Sequence, residues 1–270
     1  MADKNFDLNN FVIDRIIRGV AISQDKENPT VLFSINQIQN ASLNCASEST
    51  DAVDAMGTPI ATFYRAKSAE FSAENALFDM NLMATQLGTS KKRGGKQMID
   101  GKEVNVKITA PAMESFTVEE GLKYELKHSP KGEVKEIYAL NGDSTFGTKY
   151  TKESAATEIN FSIADKTISL PTEVEVGTEM FVMYEYETDQ AVEVVNSAKN
   201  FPVGCKFVME VLGCDVCDQT NLVYAYVIFN NAKLSPDFDW SIATDGTHPF
   251  SMKAQQDYCD KEKRLRIIAA

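Results

Sequence analysis

Two long apolar runs, Lys206–Leu212 and Leu222–Phe229, constrain this chain more than any other stretch. Both are rich in Val, Tyr, Phe and Ile, residues that fit a pleated, half-buried surface. The segment between them, 213–221, holds Gly213, Asp215, Asp218 and Asn221, which favour turns. The pattern predicts an antiparallel hairpin with Cys214 and Cys217 near its tip. Leu222–Phe229 is the longest uninterrupted apolar run and is far too short to cross a bilayer as a helix. The polar start, residues 1–10, has no apolar signal core, so the expectation is a soluble protein made in the cytoplasm.

The remainder of the chain also favours strands. Residues 11–22 carry Val12, Ile13, Ile16, Ile17 and Val20 around Gly19, and their spacing fits a short helix or a strand. Residues 31–44 alternate apolar and polar and predict extended chain. Residues 47–59 are small and polar and predict a loop, after which 60–71 regain strand character. One helix is expected over about 72–87. Ser72 would cap it, Ala76, Leu77, Met80, Met83, Ala84 and Leu87 would form its buried stripe, and Gly88 would end it. On that reading Leu77→Asp or Met80→Asp buries an unpaired charge at a cost of several kcal/mol, roughly. From residue 98 to 190 short strands recur between turn signals such as Asp100-Gly101, Asn141-Gly142-Asp143 and Ala164-Asp165-Lys166. The expectation is one mainly β domain spanning 1–270, an antiparallel sandwich or barrel with one flanking helix, and about 119–199 as a candidate inserted β subdomain.

Several features invite chemistry. Cys214 and Cys217 form a C-x-x-C pair, but zinc needs four ligands and the sequence has no second pair. Cys205 and Cys259 would each have to contribute singly. A redox pair needs a helix N-terminus to lower the thiol pKa, and here acidic residues follow instead. Plain turn cysteines are therefore favoured, with Cys214 and Cys217 kept as zinc or thiol candidates. His128 lies in a turn and His248 between two polar segments, and no nucleophile motif accompanies either. No phosphate-binding glycine loop occurs, and neither a cofactor nor a catalytic residue is expected.

Charge is more informative. The chain carries a formal net charge of −12, which opposes gripping nucleic acid. Between Thr172 and Val195 there are many carboxylates and neither Lys nor Arg. Glu173 and Glu175 alternate with valines, Glu185 and Glu187 with tyrosines, so each pair is expected on one face of a strand. The pattern suits a solvent face, and also an acidic lumen or subunit contact. Lys91, Lys92, Arg93 and Lys96 form a basic loop beside Gly94-Gly95, either solvated or an inter-subunit contact.

Two stretches resemble the major tail, or tail tube, proteins of long-tailed bacteriophages. One is 67–88, a strand running into the single expected helix. The other is 201–258, with its hairpin, Asn231-Ala232-Lys233-Leu234-Ser235-Pro236-Asp237-Phe238 and Thr247-His248-Pro249-Phe250-Ser251-Met252. Residues of about 98–199 resemble nothing comparable. The resemblance implies a virion tail subunit, made in the host cytoplasm, that forms stacked hexameric rings around a shared barrel through which genomic DNA passes. It also implies contacts with other tail proteins: tape measure, terminator, baseplate or tip, and in some tails a sheath. A monomeric metal- or thiol-dependent enzyme and a carbohydrate- or receptor-binding sandwich from a virion tip are the alternatives.

Overall fold

The computed structural model describes residues 10–216, 218–256 and 265–269. In chain order the elements are β1 (Phe11–Ser23), β2 (Val31–Ile35), β3 (Ile38–Val53), β4 (Pro59–Asn75) and helix α1 (Met80–Gln86). There follow β5 (Lys92–Arg93), β6 (Gly95–Ile99), β7 (Lys102–Val106), β8 (Ile108–Thr117), β9 (Lys123–Glu125), β10 (Glu136–Leu140) and β11 (Phe146–Lys152). Then come β12 (Asn160–Ala164), β13 (Thr167–Ser169), β14 (Glu179–Thr188), β15 (Val192–Glu193), β16 (Gly204–Asp215), β17 (Asp218–Leu234), β18 (His248–Ala254) and β19 (Leu265–Ala269). The protein is mainly β, as its alternating patterns predict. Its contacts divide it into two compact units, one made of 1–91 and 194–270, the other of Lys92–Glu193.

The first unit is built on an eight-stranded sheet in the order β2-β1-β16-β17-β18-β4-β3, with β19 also pairing β17. The expected hairpin is its centre. β16 and β17 pair antiparallel from Gly204↔Lys233 to Asp215↔Asp218. β1 is a strand and flanks β16 over its whole length. One face of this sheet buries five phenylalanines, Phe33, Phe71, Phe207, Phe229 and Phe250, in mutual contact. Gly19 makes room for them, since a Cβ there would lie 2.8 Å from the Phe207 ring.

The helix is shorter than its sequence pattern predicts. Ser72 lies inside β4, paired with Ser42 on one side and Ser251 on the other. Two sheet partners outweigh a local helical period, because the ladder satisfies every backbone group of this buried stretch. α1 instead starts at Met80, where the Asp79 carboxylate accepts hydrogen bonds from the Asn81 and Leu82 N–H groups. Leu82 is the side chain that enters the core, and Leu77 is 60% exposed. Gly88 ends the helix as expected, with φ of +66° and Thr89 N–H returning to the Ala84 carbonyl. Its missing side chain matters twice, for a Cβ would also strike the Phe201 backbone.

The second unit holds a seven-stranded sheet, β8-β14-β10-β11-β12-β13-β9, around Ile137, Phe161, Ile168, Met180 and Val182. Glu114 is buried among them. The hydroxyls of Tyr184 and Tyr124 and the Lys127 N–H all donate to its carboxylate. Burial pushes the carboxyl pKa up, but these donors together hold it below the usual range.

A projecting ribbon and the charged surfaces

The segment expected to be a loop, 47–59, is instead the end of a long hairpin. β3 and β4 pair from Ile38↔Asn75 to Val53↔Pro59. The tip is closed by Asp54, whose carboxylate accepts from the Met56 and Thr58 N–H groups, and by Gly57 at φ +84°. Small polar residues form strand here because each backbone group finds a partner across the ladder while the side chains stay in water.

This hairpin leaves the sheet. β18 pairs with β4 only between Glu70 and Asn75, so from Pro59 to Ala69 β4 has β3 as its sole neighbour among the described residues. Every residue from 39 to 68 is exposed. At ~3.3 Å per residue the unsupported part of β4 extends about 35 Å. Consecutive residues of a strand face opposite ways, so Phe63 and Tyr64, 55% and 72% exposed, place one aromatic ring on each face. Val53, Ile60 and Met56 are also exposed. An isolated two-stranded ribbon is marginal in water. Its outer edges and the apolar groups on both faces are left uncovered among the described residues, the features by which strand edges join other sheets in general. Thr50–Val53 and Ile60–Phe63, alternating around Asp54 and Gly57, are the sequence signal that could have revealed it.

The charged candidates separate into two kinds of place. Glu185 and Glu187 share one face of β14 with Glu179, Phe181 and Met183, while Val182 and Tyr184 point inward. Cations from distant segments reach this face: Lys131 lies 2.9 Å and Lys107 3.8 Å from the Glu187 carboxylate. Glu173 and Glu175, expected on a strand, lie in the turns between β13 and β14. Val174 N–H bonds the Pro171 carbonyl there, and Thr178 N–H bonds that of Glu175. Pro171 and Gly177 bracket a turn too short for a strand. The basic segment is not a free loop. Lys92 and Arg93 form β5 against β15, and Gly94 packs on the Asp189 backbone. Lys92 pairs with Glu193 at 3.4 Å and Lys96 with Glu103 at 2.9 Å. Lys91 and Arg93 are exposed and make no ion pair among the described residues.

Cys214 is half-buried near the end of β16, paired with Val12 and Leu222. Cys217 and Cys259 lie outside the described residues. Cys205 is buried at the other end of β16, about 30 Å from Cys214 at strand rise. Burial pushes its thiol pKa up to about 12. His128 stacks on Tyr186 with ring centroids 3.9 Å apart. His248 is fully buried, which its polar sequence neighbours did not suggest. No helix among the described residues is long and apolar enough to cross a membrane.

Comparison with known proteins adds one match. The family described as the YomU/Tube protein family matches over residues 16–263. No curated protein matches the chain.

Proposed function

The chain belongs to the YomU/Tube protein family, structural proteins of the phage tail tube, and from that premise we propose that its copies assemble into stacked hexameric rings through which the phage genome passes. The observation that carries this reading is the ribbon of residues 39–68. A subunit with two open strand edges and an aromatic ring on each ribbon face is suited to continue its sheet into a second copy. Closing sheets around a ring removes edges that would otherwise join without limit. Six copies, each at −12, make a strongly negative assembly. Phosphates then travel past the wall without being held.

Within this reading Lys92–Glu193 is a β subdomain inserted into a tube subunit. Its exposed Glu185 and Glu187 form an acidic contact or lumen face, with Glu173 and Glu175 on a neighbouring turn. Lys91 and Arg93 remain available for a carboxylate on another subunit, whereas Lys92 and Lys96 are engaged within the chain. The further partners are the tail proteins that start, measure and end a tube. The subunit is made in the host cytoplasm and resides in the virion tail.

Imaging of the purified protein together with a mass measurement tests the proposal. Rings or tubes with a central hole are expected. A protein that stays monomeric at high concentration, where tail subunits should join, overturns it. A surface-binding role for the middle of the chain has one observation behind it. Tyr138, Phe146 and Phe181 form a ring cluster with centroids 5.1 and 5.2 Å apart, and Phe146 is 60% exposed. Binding of the isolated 92–193 unit to host cell-wall glycans is the measurement that would favour it.

A further inference from the structure

We propose that His248 is a proton-operated latch: a second proton on its ring releases the segment 235–247 and the start of α1 from the end of the sheet where β18 begins beside β4.

The hydrogen bonds fix the state of the ring. Gln86, fully buried on α1, donates from its side-chain Nε2 to the Pro249 carbonyl at 3.2 Å. That orientation turns its Oε1 toward His248, where it lies 2.8 Å from the ring Nε2. An amide oxygen only accepts, so His248 Nε2 carries the proton. Nδ1 is then the lone-pair nitrogen, and it accepts the Asp79 backbone N–H at 3.4 Å. Both nitrogens are committed, and the ring is held neutral. A proton on Nδ1 would oppose the Asp79 N–H and place a cation in a fully buried site.

The same ring is the floor of an aromatic stack. Phe78 lies on His248 at 5.1 Å and 23°, and Trp240 lies on Phe78 at 4.2 Å and 14°. Phe238 meets the ring at 5.7 Å. The segment 235–247 hydrogen-bonds to the rest of its unit at its two ends. Ser235 N–H reaches the Ser251 carbonyl and the Thr247 hydroxyl reaches Glu74. Between these ends Phe238 and Trp240 hold it down through the stack. Losing the Asp79 contact moves Phe78, its neighbour in the chain, and with it the rings above.

The charges around the latch leave the outcome to burial. Asp79 on the helix cap is the carboxylate whose field favours the charged ring, and its Oδ1 accepts from both the Asn81 and Leu82 N–H groups. Glu74 on β4 is bound by Asn40 and Thr247. Glu70 pairs with Lys253 toward the other end of β18. Asp237 and Asp239 on the segment are exposed. Burial lowers the ring pKa more than Asp79 raises it, so the folded value lies below the ordinary 6.5. The latch is therefore closed above that pH and opens as pH falls from it through the folded value.

Trp240 is the single tryptophan of the chain, so its emission reads the stack directly. As pH falls from about 7 through the folded value of the ring, the wild-type emission is expected to shift to the red. Hydrogen-exchange protection over 76–88 and 235–247 is expected to drop several-fold while β16 and β17 keep theirs. His248→Gln keeps a donor for Gln86 and cannot take a second proton, and its emission is expected to stay flat. Wild-type emission and protection that ignore pH, or an equal shift in His248→Gln, overturn the latch. Where His248→Gln does not fold, wild-type exchange decides. Loss of protection confined to the two segments supports the proposal, and loss spread over the whole sheet overturns it.

Discussion

Single side chains decide how α1 is seated. Leu82 is fully buried against the phenylalanine cluster, while Leu77 is 60% exposed. Leu82→Asp is therefore expected to cost several kcal/mol, roughly, and to unfold the first unit, whereas Leu77→Asp leaves its melting temperature nearly unchanged. Thermal denaturation of both variants by circular dichroism checks this; equal melting of the two contradicts the seating of the helix. In the second unit the buried Glu114 accepts from two tyrosine hydroxyls. Glu114→Ala leaves those hydroxyls without an acceptor and is expected to cost about 1–3 kcal/mol in denaturant titration. The folded carboxyl has its pKa below the unfolded value, so its contribution is present above the ordinary carboxylate range. It fades as pH falls through the folded pKa. Acid unfolding of Glu114→Gln should depend less steeply on pH than that of the wild type.

At the scale of elements, the β3–β4 ribbon and the helix cap make separable demands. Phe63 and Tyr64 face water on opposite sides of the ribbon. Replacing both with Glu should leave the stability within about 0.5 kcal/mol of wild type and abolish assembly, read by sedimentation. Tubes formed by that double variant would show that the ribbon is not the joining surface. Asp79→Ala removes the acceptor for two helix N–H groups and is expected to cost about 1 kcal/mol. The sequence pattern had assigned the cap to Ser72. A strand with partners on both sides, Ser42 and Ser251, takes that residue away from the helix.

The molecule as a whole consists of a frame interrupted by a second unit whose ends meet. Lys92 and Glu193, the first and last residues of that unit, pair across β5 and β15. Adjacent paired residues lie about 5 Å apart, so the unit can leave without stretching the chain. Residues 92–193 expressed alone are expected to unfold cooperatively, and 1–91 joined to 194–270 by a short Gly-Ser linker should retain the eight-stranded sheet. Calorimetry of the two pieces checks both statements. A 92–193 fragment lacking a cooperative transition would show that the unit borrows stability from the rest.

Sequence alone determined what depends on local period and composition. The alternating Val, Tyr and Phe of 206–229 dictated the central hairpin, Gly88 dictated where the helix stops, and the carboxylates beside Tyr184 and Tyr186 were legible as one strand face. The order of motifs in 67–88 and 201–258 pointed to the tube family. What the tertiary structure decided depends on partners far apart in the chain. Pairing with β3 and β18 turned 72–75 into strand, and β4 turned the polar 47–53 into ribbon. Lys131 and Lys107 neutralise Glu187 from other segments, and Gln86 and Asp79 fix the ring of His248 from a helix some 160 residues away. Backbone hydrogen bonds and burial are satisfied by whatever the fold brings near, and a reading along the chain sees only its own neighbours.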